Sequence, residues 1–574
     1  MTATAMTQPD VAREPRTAPS AERQYVYPTV QALAVATAHP SAEAWPLEAE
    51  HPSVAVMPAQ VVAAGVGEDT SSRFARLQKR MADVEAGTRA GHERSLVVVP
   101  SRTVDKWHEP AAETQAYEER LLCTLLELRD PKLRMTYVTS SPIAPTIIDY
   151  YLSLLPRRVR RSARSRLTLV ALGERTARPL SQKLLERPHV LERIRRSIPD
   201  SHTCHLIPYT TTSLERDVAL ELGIPLYGAD PCHAYLGTKS GCRELFARAG
   251  VPHPVGVEGI SSVTAAIAAI VNLRAAKPGI NRVVMKLNEG VSGEGNAIIE
   301  LAGLPSPGAP DEAHRIAQRV VSLAPEARGV TVAAFLTKLA ERGGIIEEWI
   351  TGRELHSPSV QVQITPFGEV QLLSTHDQIL GGPSGQTYLG CRFPASPSYA
   401  SVISALAGGI GERLAEAGVI GRFAIDFVVA LDDDDRWQPF AIEVNLRKGG
   451  TTHPYETLAQ LTGGTYDPST ATFTTPTGEQ KHYVATDHLE ADQLRELGRE
   501  GVLALARRGD LRFDRMQRTG TVFHMLSSLD ELGRAGFTAI ANSAEEADAL
   551  YEHVQATVLA EADAVVGGRA SVAA

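Results

Sequence analysis

Apolar and polar positions alternate along the first third of the chain in the order strand, helix, strand. SLVVVPS at 95–101 predicts a buried strand, AYEERLLCTLLELRD predicts a helix, and MTYVTS at 135–140 predicts a second strand. A third strand, LTLVALG, extends the series, so residues 93–230 predict an α/β domain with a mostly parallel sheet. No glycine-rich dinucleotide fingerprint follows its first strand.

The pattern changes after residue 230. Residues 231–280 are predicted to be helical, and one of these helices ends at Gly250, a typical C-cap. From 283 to 445, paired apolar runs predict antiparallel hairpins with helices between them. A strand, helix, strand, helix pattern then closes the chain from GTVFHML onward.

The N-terminal segment has a different character. Residues 1–68 are rich in Ala, Pro, Thr and Glu without a sustained period, a composition that buries too little apolar surface to fold. We therefore expect residues 1–92 to be largely disordered, with one amphipathic stretch near Ser72. The apolar positions on one helical face of that stretch are Phe74, Leu77, Met81 and Val84.

Composition narrows the class of protein. With 574 residues and 43% hydrophobic content, the chain predicts about three or four domains. The net charge of -9 gives no electrostatic reason to expect nucleic acid or an anionic membrane, so we expect small-molecule or protein partners. Five cysteines without a CxxC pair favour a reducing, cytoplasmic location. No apolar run is long enough for a membrane span, and VQALAVATA at 30–38 lies too far from Met1, without a preceding basic run, to suggest a signal peptide.

The segment VVMKLNEGVSGEGN at 283–296 joins a strand, a lysine and a glycine-rich loop. Its pattern is neither a dinucleotide fingerprint nor a Walker loop. Glycine amides can approach phosphate oxygens closely, and Lys286 adds a charge beside Gly290, Gly293 and Gly295. Taken alone, the segment favours a flexible hairpin tip over a phosphate-binding loop.

A second candidate is the predicted hairpin FAIDFVVALDDDDRWQPFAIEVNLRKGG at 423–450. Its symmetry places Asp426 opposite Glu443, and period-2 alternation puts Asn445 on the same face. Facing carboxylates repel one another unless a cation lies between them, and such oxygen ligands suit Mg²⁺. The alternative is a solvated hairpin face, while the acidic run 432–435 is expected to be only the exposed turn.

A third candidate is GGIIEEWITGREL at 343–355. It could present backbone groups to an adenine, and carboxylates to an amino group and to ribose hydroxyls. An acidic edge strand is the alternative.

In this order, these elements resemble the ATP-grasp superfamily of carboxylate–amine ligases, and EEWITGREL resembles the hinge of bacterial D-alanyl-D-alanine ligases. The resemblance implies that Glu347 and Ile350 contact adenine and that Glu354 contacts the ribose. It implies two Mg²⁺ ions, with Mn²⁺ as the alternative, on Asp426, Glu443 and Asn445. The full set of residues implied to contact ATP is Lys239, Lys286, Gly290, Ser292, Gly293, Gly295, Glu347, Glu348, Ile350 and Glu354.

The surrounding segments, among them YVTSSPIAPTIIDYYLSLLP and GGPSGQTYLGCRFP, resemble peptide ligases of the pheganomycin type over residues 93 to about 560. The implied α/β architecture is an ATP-grasp fold between two smaller domains. The implied reaction forms an amide bond through an acyl phosphate, from a small-molecule carboxylate and an amino acid or peptide amine, and a homodimer is allowed. The domains would be a Rossmann-like pre-ATP-grasp domain at 93–230, an N-terminal lobe at 231–340, a C-terminal lobe with the Mg²⁺ site at 341–480, and a small α/β domain at 481–574.

One departure concerns the catalytic arginine. D-alanyl ligases carry an arginine two positions before the metal-binding aspartate, where this chain has Ala424, and Arg422 is displaced. Arg392 and Arg447 are the candidates for its work on the acyl phosphate, beside Lys286. The glycine-rich loop is expected to close over the phosphates, and GGPSGQTYLG at 381–390 is a second lid or an ordinary loop.

Several polar residues of the surroundings carry weaker expectations. His376 and His453 are expected in the substrate pocket or in structural positions. The residues expected to face the carboxylate substrate or the cleft between domains are Ser140, Ser141 and Tyr150.

Two other functions use the same fold. A non-catalytic ATP-binding module could lose the metal ligands without penalty, yet this chain keeps them. An acyl-CoA ligase would need a phosphorylatable histidine on a mobile segment, and no histidine of the sequence is clearly placed on one.

Overall fold

The computed structural model describes residues 69–104, 107, 111–290, 293–381 and 385–573. The predicted disordered tail falls mainly on residues 1–68, which lie outside these ranges. The amphipathic stretch that follows is a helix, α1 (Thr70–Arg89), and its Phe74 packs in one cluster with Val97 of the first sheet. The predicted helical face is therefore confirmed, and it docks on the first domain.

The first domain contains a four-stranded parallel sheet, as its alternating pattern predicts. The strands follow the order β3-β2-β1-β4. The end of the predicted helix after the first strand is a 3-10 helix, Glu119–Arg129. The elements are β1 (Arg94–Val99), α2 (Ala111–Glu118), β2 (Leu133–Thr139), α3 (Pro145–Ser153), α4 (Arg157–Ser165), β3 (Leu167–Ala171), α5 (Leu180–Leu185), α6 (Pro188–Ser197), β4 (Cys204–Pro208) and α7 (Ser213–Leu222).

A five-stranded sheet of order β5-β9-β6-β7-β8 carries the glycine-rich hairpin. Gly250 ends the preceding helix at φ 66°, as predicted. The prediction that residues 231–280 are wholly helical is wrong, because β5 pairs with β9 and its two glycines hide the strand pattern. The elements are α8 (Lys239–Ala249), β5 (Gly256–Ile260), α9 (Val263–Ala276), β6 (Arg282–Leu287), β7 (Asn296–Glu300), α10 (Glu312–Val320), β8 (Ala324–Pro325), α11 (Val332–Arg342) and β9 (Gly344–Glu348).

A nine-stranded sheet forms the rest, in the order β10-β14-β11-β12-β13-β18-β20-β19, with β15 paired to β14. The strands β16 and β17 form a separate hairpin. The elements are β10 (Glu354–His356), β11 (Pro358–Ile364), β12 (Val370–Gly381), β13 (Thr387–Phe393), α12 (Pro397–Glu416), β14 (Gly421–Leu431), β15 (Trp437–Asn445), α13 (Thr452–Thr462), β16 (Thr465–Asp467), β17 (Thr472–Thr474), β18 (His482–Glu490), α14 (Leu494–Leu505), β19 (Gly520–His524), α15 (Leu529–Leu532), β20 (Arg534–Ala541) and α16 (Ala544–Ala573).

The C-terminal segment is continuous with the rest of the fold. The β13–β18 pairing extends the sheet across residue 481, where the sequence predicts a domain boundary. Leu126 and Tyr151 of the first domain share one buried cluster with Phe523 and Phe537 of the C-terminal segment. The first and last folded parts of the chain therefore enclose a common core.

Among the helices of the described part of residues 69–573, none is both long enough and apolar enough to cross a membrane.

Candidate active site

A cleft of about 740 Å³ is lined by the five-stranded sheet, the nine-stranded sheet and the first domain. It contains most of the side chains that the sequence analysis singles out. It also contains polar side chains that the sequence analysis did not find.

Two carboxylates and a carboxamide meet in one part of this cleft, which we call the acidic end. The antiparallel pair β14–β15 sets Asp426 opposite Glu443, which confirms the predicted register. Asn445 Nδ2 donates to Asp426 Oδ2 at 2.9 Å and to Glu443 Oε1 at 3.0 Å. Burial raises the pKa of Asp426, although the neighbouring charges of Lys239 and Arg447 act to lower it. Three oxygen-bearing side chains in contact are a donor set that fits a hard divalent ion.

Two lysines from different elements lie against acidic groups of the cleft. Lys239 opens α8 and forms an ion pair with Glu443, and Lys286 in β6 forms one with Glu347. Although Lys239 is paired, its burial and the ammonium of Lys286 lower its pKa to about 8. Ammonium groups beside a helix N-terminus are suited to polyphosphate.

The segment after β9 lines another part of the cleft. Glu347 is buried and accepts from Arg243 Nη1 at 3.2 Å in addition to its contact with Lys286. The Ile350 amide donates no hydrogen bond within the described part of the chain. A carboxylate and an open backbone donor are the kind of sparse polar groups that orient a flat heteroaromatic ligand.

The neighbouring Glu348 also lines the cleft, but its carboxylate is already engaged. It accepts from the Val255 amide at 3.0 Å and forms an ion pair with Lys277. These contacts anchor β9 to its surroundings.

The glycine-rich loop connects β6 to β7 and borders the cleft. Gly293 has a φ of 78°, at which a side chain is strained, and a Cβ on Gly290 would lie 3.3 Å from the Cα of Gly295. The arms of the loop therefore approach closely because both are glycine. Ser292, which the sequence analysis includes in this loop, lies outside the described residues.

Two other segments contact this loop. Asn296 Nδ2 donates to Gln386 Oε1 at 2.5 Å, and Gln386 belongs to the predicted second lid. Trp107 Nε1 of the first domain donates to the Glu294 carbonyl at 3.3 Å. Residues 382–384 of the second lid lie outside the described residues.

Two predicted residues are not brought to the cleft lining. Arg392 is 52% exposed, and its Nε donates to Asp548 Oδ1 at 3.0 Å, so the structure does not bring it to the place where the acyl phosphate is expected. Glu354 is 55% exposed and contacts His356 Nε2 at 2.6 Å. His356 lines the cleft, so Glu354 lies next to the lining.

The two remaining arginines that the sequence analysis considers, Arg447 and Arg422, have different partners. Arg447 lines the cleft, and its Nη2 donates to Asn445 Oδ1 at 2.8 Å. The displaced Arg422 instead forms an ion pair with Glu456 at 2.7 Å.

Three first-domain residues expected near the substrate are also elsewhere. Ser140 is fully buried and donates to Glu118 Oε1 at 2.6 Å, and the Tyr150 hydroxyl accepts from the Phe523 amide at 2.9 Å. Ser141 does not line the cleft either. Ser140 and Tyr150 therefore connect elements of the core.

The histidines are buried. His376 contacts the Tyr483 hydroxyl at 2.7 Å, and burial lowers its pKa to about 3. His453 lies 3.2 Å from Asp487. Both therefore occupy structural positions, one of the two alternatives expected.

Sequence reasoning missed the polar groups that the first domain contributes. Arg102, Tyr117, Arg120 and Tyr209 all line the cleft. The guanidinium carbons of Arg102 and Arg120 lie 3.9 Å and 3.8 Å from the centroid of the Tyr117 ring. The available signal was AYEER, where Tyr117 and Arg120 share one face of a predicted helix.

Family models match the parts of the chain that build the cleft. The model described as IQCH-like, ATP-grasp matches residues 231–328 and 310–469, which include the acidic end. The model of the PGM1 C-terminal domain matches residues 501–554.

Individual proteins are similar over longer stretches. L-propargylglycine--L-glutamate ligase of Streptantibioticus cattleyicolor is 30% identical over 470 residues, 80% of this chain and 93% of that protein. IQ motif-containing protein H of Danio rerio is 26% identical over 398 residues, 62% of this chain and 37% of that protein. A crystal structure of a biotin carboxylase–beta-gamma-ATP complex from Campylobacter jejuni is 14% identical with a TM-score of 0.49, and covers 80% of this chain and 90% of that one.

Proposed function

Because this chain belongs to the ATP-grasp superfamily of carboxylate–amine ligases, we propose that it forms an amide bond at the expense of ATP. The first substrate is a small-molecule carboxylate, an amino-acid derivative, and the second is the amine of an amino acid or peptide. The products are the amide, ADP and phosphate.

The reaction proceeds in two steps. A carboxylate oxygen attacks the γ-phosphorus, the bond to the bridging oxygen breaks, and ADP leaves. The amine nitrogen then attacks the carbonyl carbon of the acyl phosphate, phosphate leaves with its oxygen, and the nitrogen gives up a proton. Since the transferring group is highly charged, positioning and electrostatic stabilisation provide most of the catalysis.

One observation supports this proposal most strongly: the acidic end and the two lysines line one cleft. We assign Asp426, Glu443 and Asn445 to two Mg²⁺ ions, with Mn²⁺ as the alternative. Bound there, these ions would offset the negative charge of the transferring phosphoryl group. Lys239 and Lys286 would exchange their present carboxylate partners for phosphate oxygens.

The remaining nucleotide contacts follow from the segment after β9. Glu347 and the Ile350 amide are proposed to bind adenine, and Glu354 the ribose. Glu348 is proposed to support this segment through Lys277. The loop with Gly290, Ser292, Gly293 and Gly295 is proposed to close over the phosphates and exclude water from the acyl phosphate.

Arg447 is proposed to stabilise the acyl phosphate in place of Arg392. Its contact with Asn445 holds it next to the proposed metal ligands. Arg392 pairs with Asp548 away from the cleft lining.

Two features support the broader organisation that we propose. The start of the ATP-grasp match at residue 231 supports a boundary between a first domain at 93–230 and the lobes proposed at 231–340 and 341–480. The segment proposed as a further domain, 481–574, continues the nine-stranded sheet through the β13–β18 pairing. All five cysteines are free thiols, which agrees with a reducing cytoplasm. A homodimer is proposed as the assembly, to be tested by light scattering of the purified protein.

The two other functions are less well supported. A binding module can lose the metal ligands without penalty, and acyl-CoA ligation needs a phosphorylatable histidine on a mobile segment. The cleft histidines His356 and His488 instead lie in strands β10 and β18, and His376 and His453 are buried.

Release of ADP tests the proposal. Purified protein is incubated with Mg-ATP, a panel of carboxylates and a panel of amines, singly and together. We expect release that requires one member of each panel, together with an amide product in the mass spectrum. Tight ATP binding with release that needs neither would contradict a ligase.

A further inference from the structure

Arg120 is a buried arginine, 6% exposed, that lines the cleft. Its Nη2 donates to Asp487 Oδ2 at 2.5 Å and its Nη1 to the Tyr209 hydroxyl at 2.8 Å. Its Nε has no hydrogen-bond partner among the described residues. A buried donor without a partner is costly, so this guanidinium is suited to an additional acceptor.

Asp487 holds Arg120 in place, is hydrogen-bonded to His524 and lies next to His453. Its Oδ1 lies 2.8 Å from His524 Nε2 and 3.2 Å from His453 Nε2. Burial acts to raise the pKa of Asp487, but Arg120 and His453 keep this pKa well below its ordinary value. Burial lowers the pKa of His453 to about 4, so this imidazole is neutral near pH 7. Asp487 is therefore an ionised carboxylate that pairs with the Arg120 guanidinium and fixes its position.

The same cluster has the residue types of a metal site, because ligand atoms of His453, Asp487 and His524 lie within 4.8 Å of one another. However, the second oxygen of Asp487 is taken by a guanidinium, which repels a cation at this short range. The cluster therefore acts on Arg120 and not on a metal.

A second guanidinium lies near Arg120. Burial, and then the charges of Arg102 and Arg120, lower the pKa of Arg447. Within the described part of the chain, Arg447 forms no ion pair with an acidic side chain; its guanidinium donates to Asn445 and to the Lys448 carbonyl. A positive region therefore borders the acidic end, with Arg447 next to both. We call the group Arg120, Tyr209 and Arg447 the arginine end.

We infer that the arginine end is a subsite for a carboxylate that one substrate keeps through the reaction. This inference rests on the proposed ligase activity. The reacting carboxylate lies between Arg447 and the acidic end, and the retained carboxylate lies against Arg120 and the Tyr209 hydroxyl. Guanidinium and phenol hydroxyl together satisfy the oxygens of one carboxylate.

Two sources can supply this group. The carboxylate substrate can be a dicarboxylic amino acid with one acid group left unactivated, or the amine substrate can be an amino acid or peptide with a free C-terminal carboxylate. The chemistry at Arg120 is the same in both cases. Separate arms of one experiment distinguish them.

The experiment starts from the carboxylate and amine that give the fastest ADP release in the panels. Each retained carboxylate is replaced by a carboxamide, first in the acid substrate and then in the amine substrate, and KM and kcat are measured. A charge-assisted hydrogen bond contributes enough that we expect KM to rise about 10- to 100-fold in one arm. The arm that responds identifies the source.

Two variants assign the effect to the arginine end. In Arg120→Gln the acid and its carboxamide are expected to differ in KM by less than about 3-fold, because the partner of the charge is gone. Tyr209→Phe keeps the Arg120–Asp487 pair, so it remains informative if Arg120→Gln fails to fold, and a smaller KM increase is expected. Arg413→Gln, an exposed arginine paired with Glu416, is the matched control and should behave as wild type.

The outcomes are distinct. Equal KM values for acid and carboxamide in both arms, or an unchanged ratio in both arginine-end variants, would overturn the subsite while ADP release keeps the ligase proposal intact. Absence of ADP release with every pair would overturn the ligase proposal, and the subsite with it.

Discussion

The acidic end of the cleft comes from one hairpin, whereas the arginine end is assembled from distant segments. Asp426 and Asn445 are 19 residues apart, while Arg120 and Asp487 are 367 apart. The acidic end is also partly open, with Glu443 24% exposed, whereas Arg120 and Asp487 are buried. A change at the acidic end should therefore affect the reaction, and a change behind the arginine end should affect both fold and reaction.

The largest effect is expected from Glu443→Ala. Loss of one proposed metal ligand removes charge stabilisation from phosphoryl transfer, so ADP release should fall about 100- to 1,000-fold. The free energy of unfolding, measured in urea, should fall less than in Asp487→Asn, because Glu443 is 24% exposed, although Lys239 loses its ion-pair partner.

Asp433→Ala is the matched control for this variant, since Asp433 lies in the exposed turn of the same hairpin. It should retain wild-type ADP release. Normal turnover in Glu443→Ala would refute the metal assignment.

Asp487→Asn tests the expectation that a change behind the arginine end affects both the fold and the reaction. Without its counter-ion, Arg120 is a buried unpaired charge, so the free energy of unfolding should fall by about 3 kcal/mol. Urea unfolding checks the stability, and KM for the substrates checks the position of Arg120. A variant as stable as wild type would mean that the two regions differ less than their burial indicates.

Deprotonation of Lys239, which pairs with Glu443 of the acidic end, should have a smaller effect, and this effect is on ATP affinity. Lys239 is protonated below its pKa of about 8 and neutral above it, so affinity for a Mg²⁺-loaded, non-hydrolysable ATP analogue should fall with rising pH, by at most about tenfold per unit above pH 8. Calorimetric titrations between pH 7 and 9.5 measure this change.

Lys239→Arg separates this lysine from other titrating groups, because a guanidinium keeps its proton over the whole interval. The decline in affinity should be absent in the variant. A decline of the same size would assign it to another group.

The smallest effect is expected from Gly293→Ala in the glycine-rich loop. A side chain at φ 78° costs about 1–2 kcal/mol, and it would also approach Gln386. ADP release should fall several-fold. Gly308→Ala has the same kind of strain at φ 85° with no atoms near the new methyl group, and should leave ADP release unchanged.

The difference between the two ends also explains which parts of the fold and of the site can be predicted from the sequence. A symmetric hairpin predicts the pairing of Asp426 with Glu443, which the structure has beside a β-bulge between Asp426 and Phe427. The parallel first sheet follows from alternating strands and helices. Both depend on local patterns, which a single sequence contains.

The missed features depend on contacts between distant segments. Nothing local to Arg120 indicates that Asp487 will neutralise it, and nothing local to Arg392 indicates that Asp548 of α16 will engage it. Similarly, β5 is a strand because β9 lies beside it, although its own glycines favour a loop. Contacts with distant segments therefore determine the structure at the positions where local sequence patterns make no clear prediction.

The shared core of the first domain and the C-terminal segment has a consequence for synthesis. At about 5–20 residues per second, the ribosome needs on the order of 20–70 s to travel from Arg120 to Asp487. During that interval the nascent first domain lacks both the counter-ion of Arg120 and the aromatic cover supplied by Phe523 and Phe537. Its apolar surface therefore stays exposed until Phe537 has been synthesised, and over that interval the emerging chain depends on protection from aggregation.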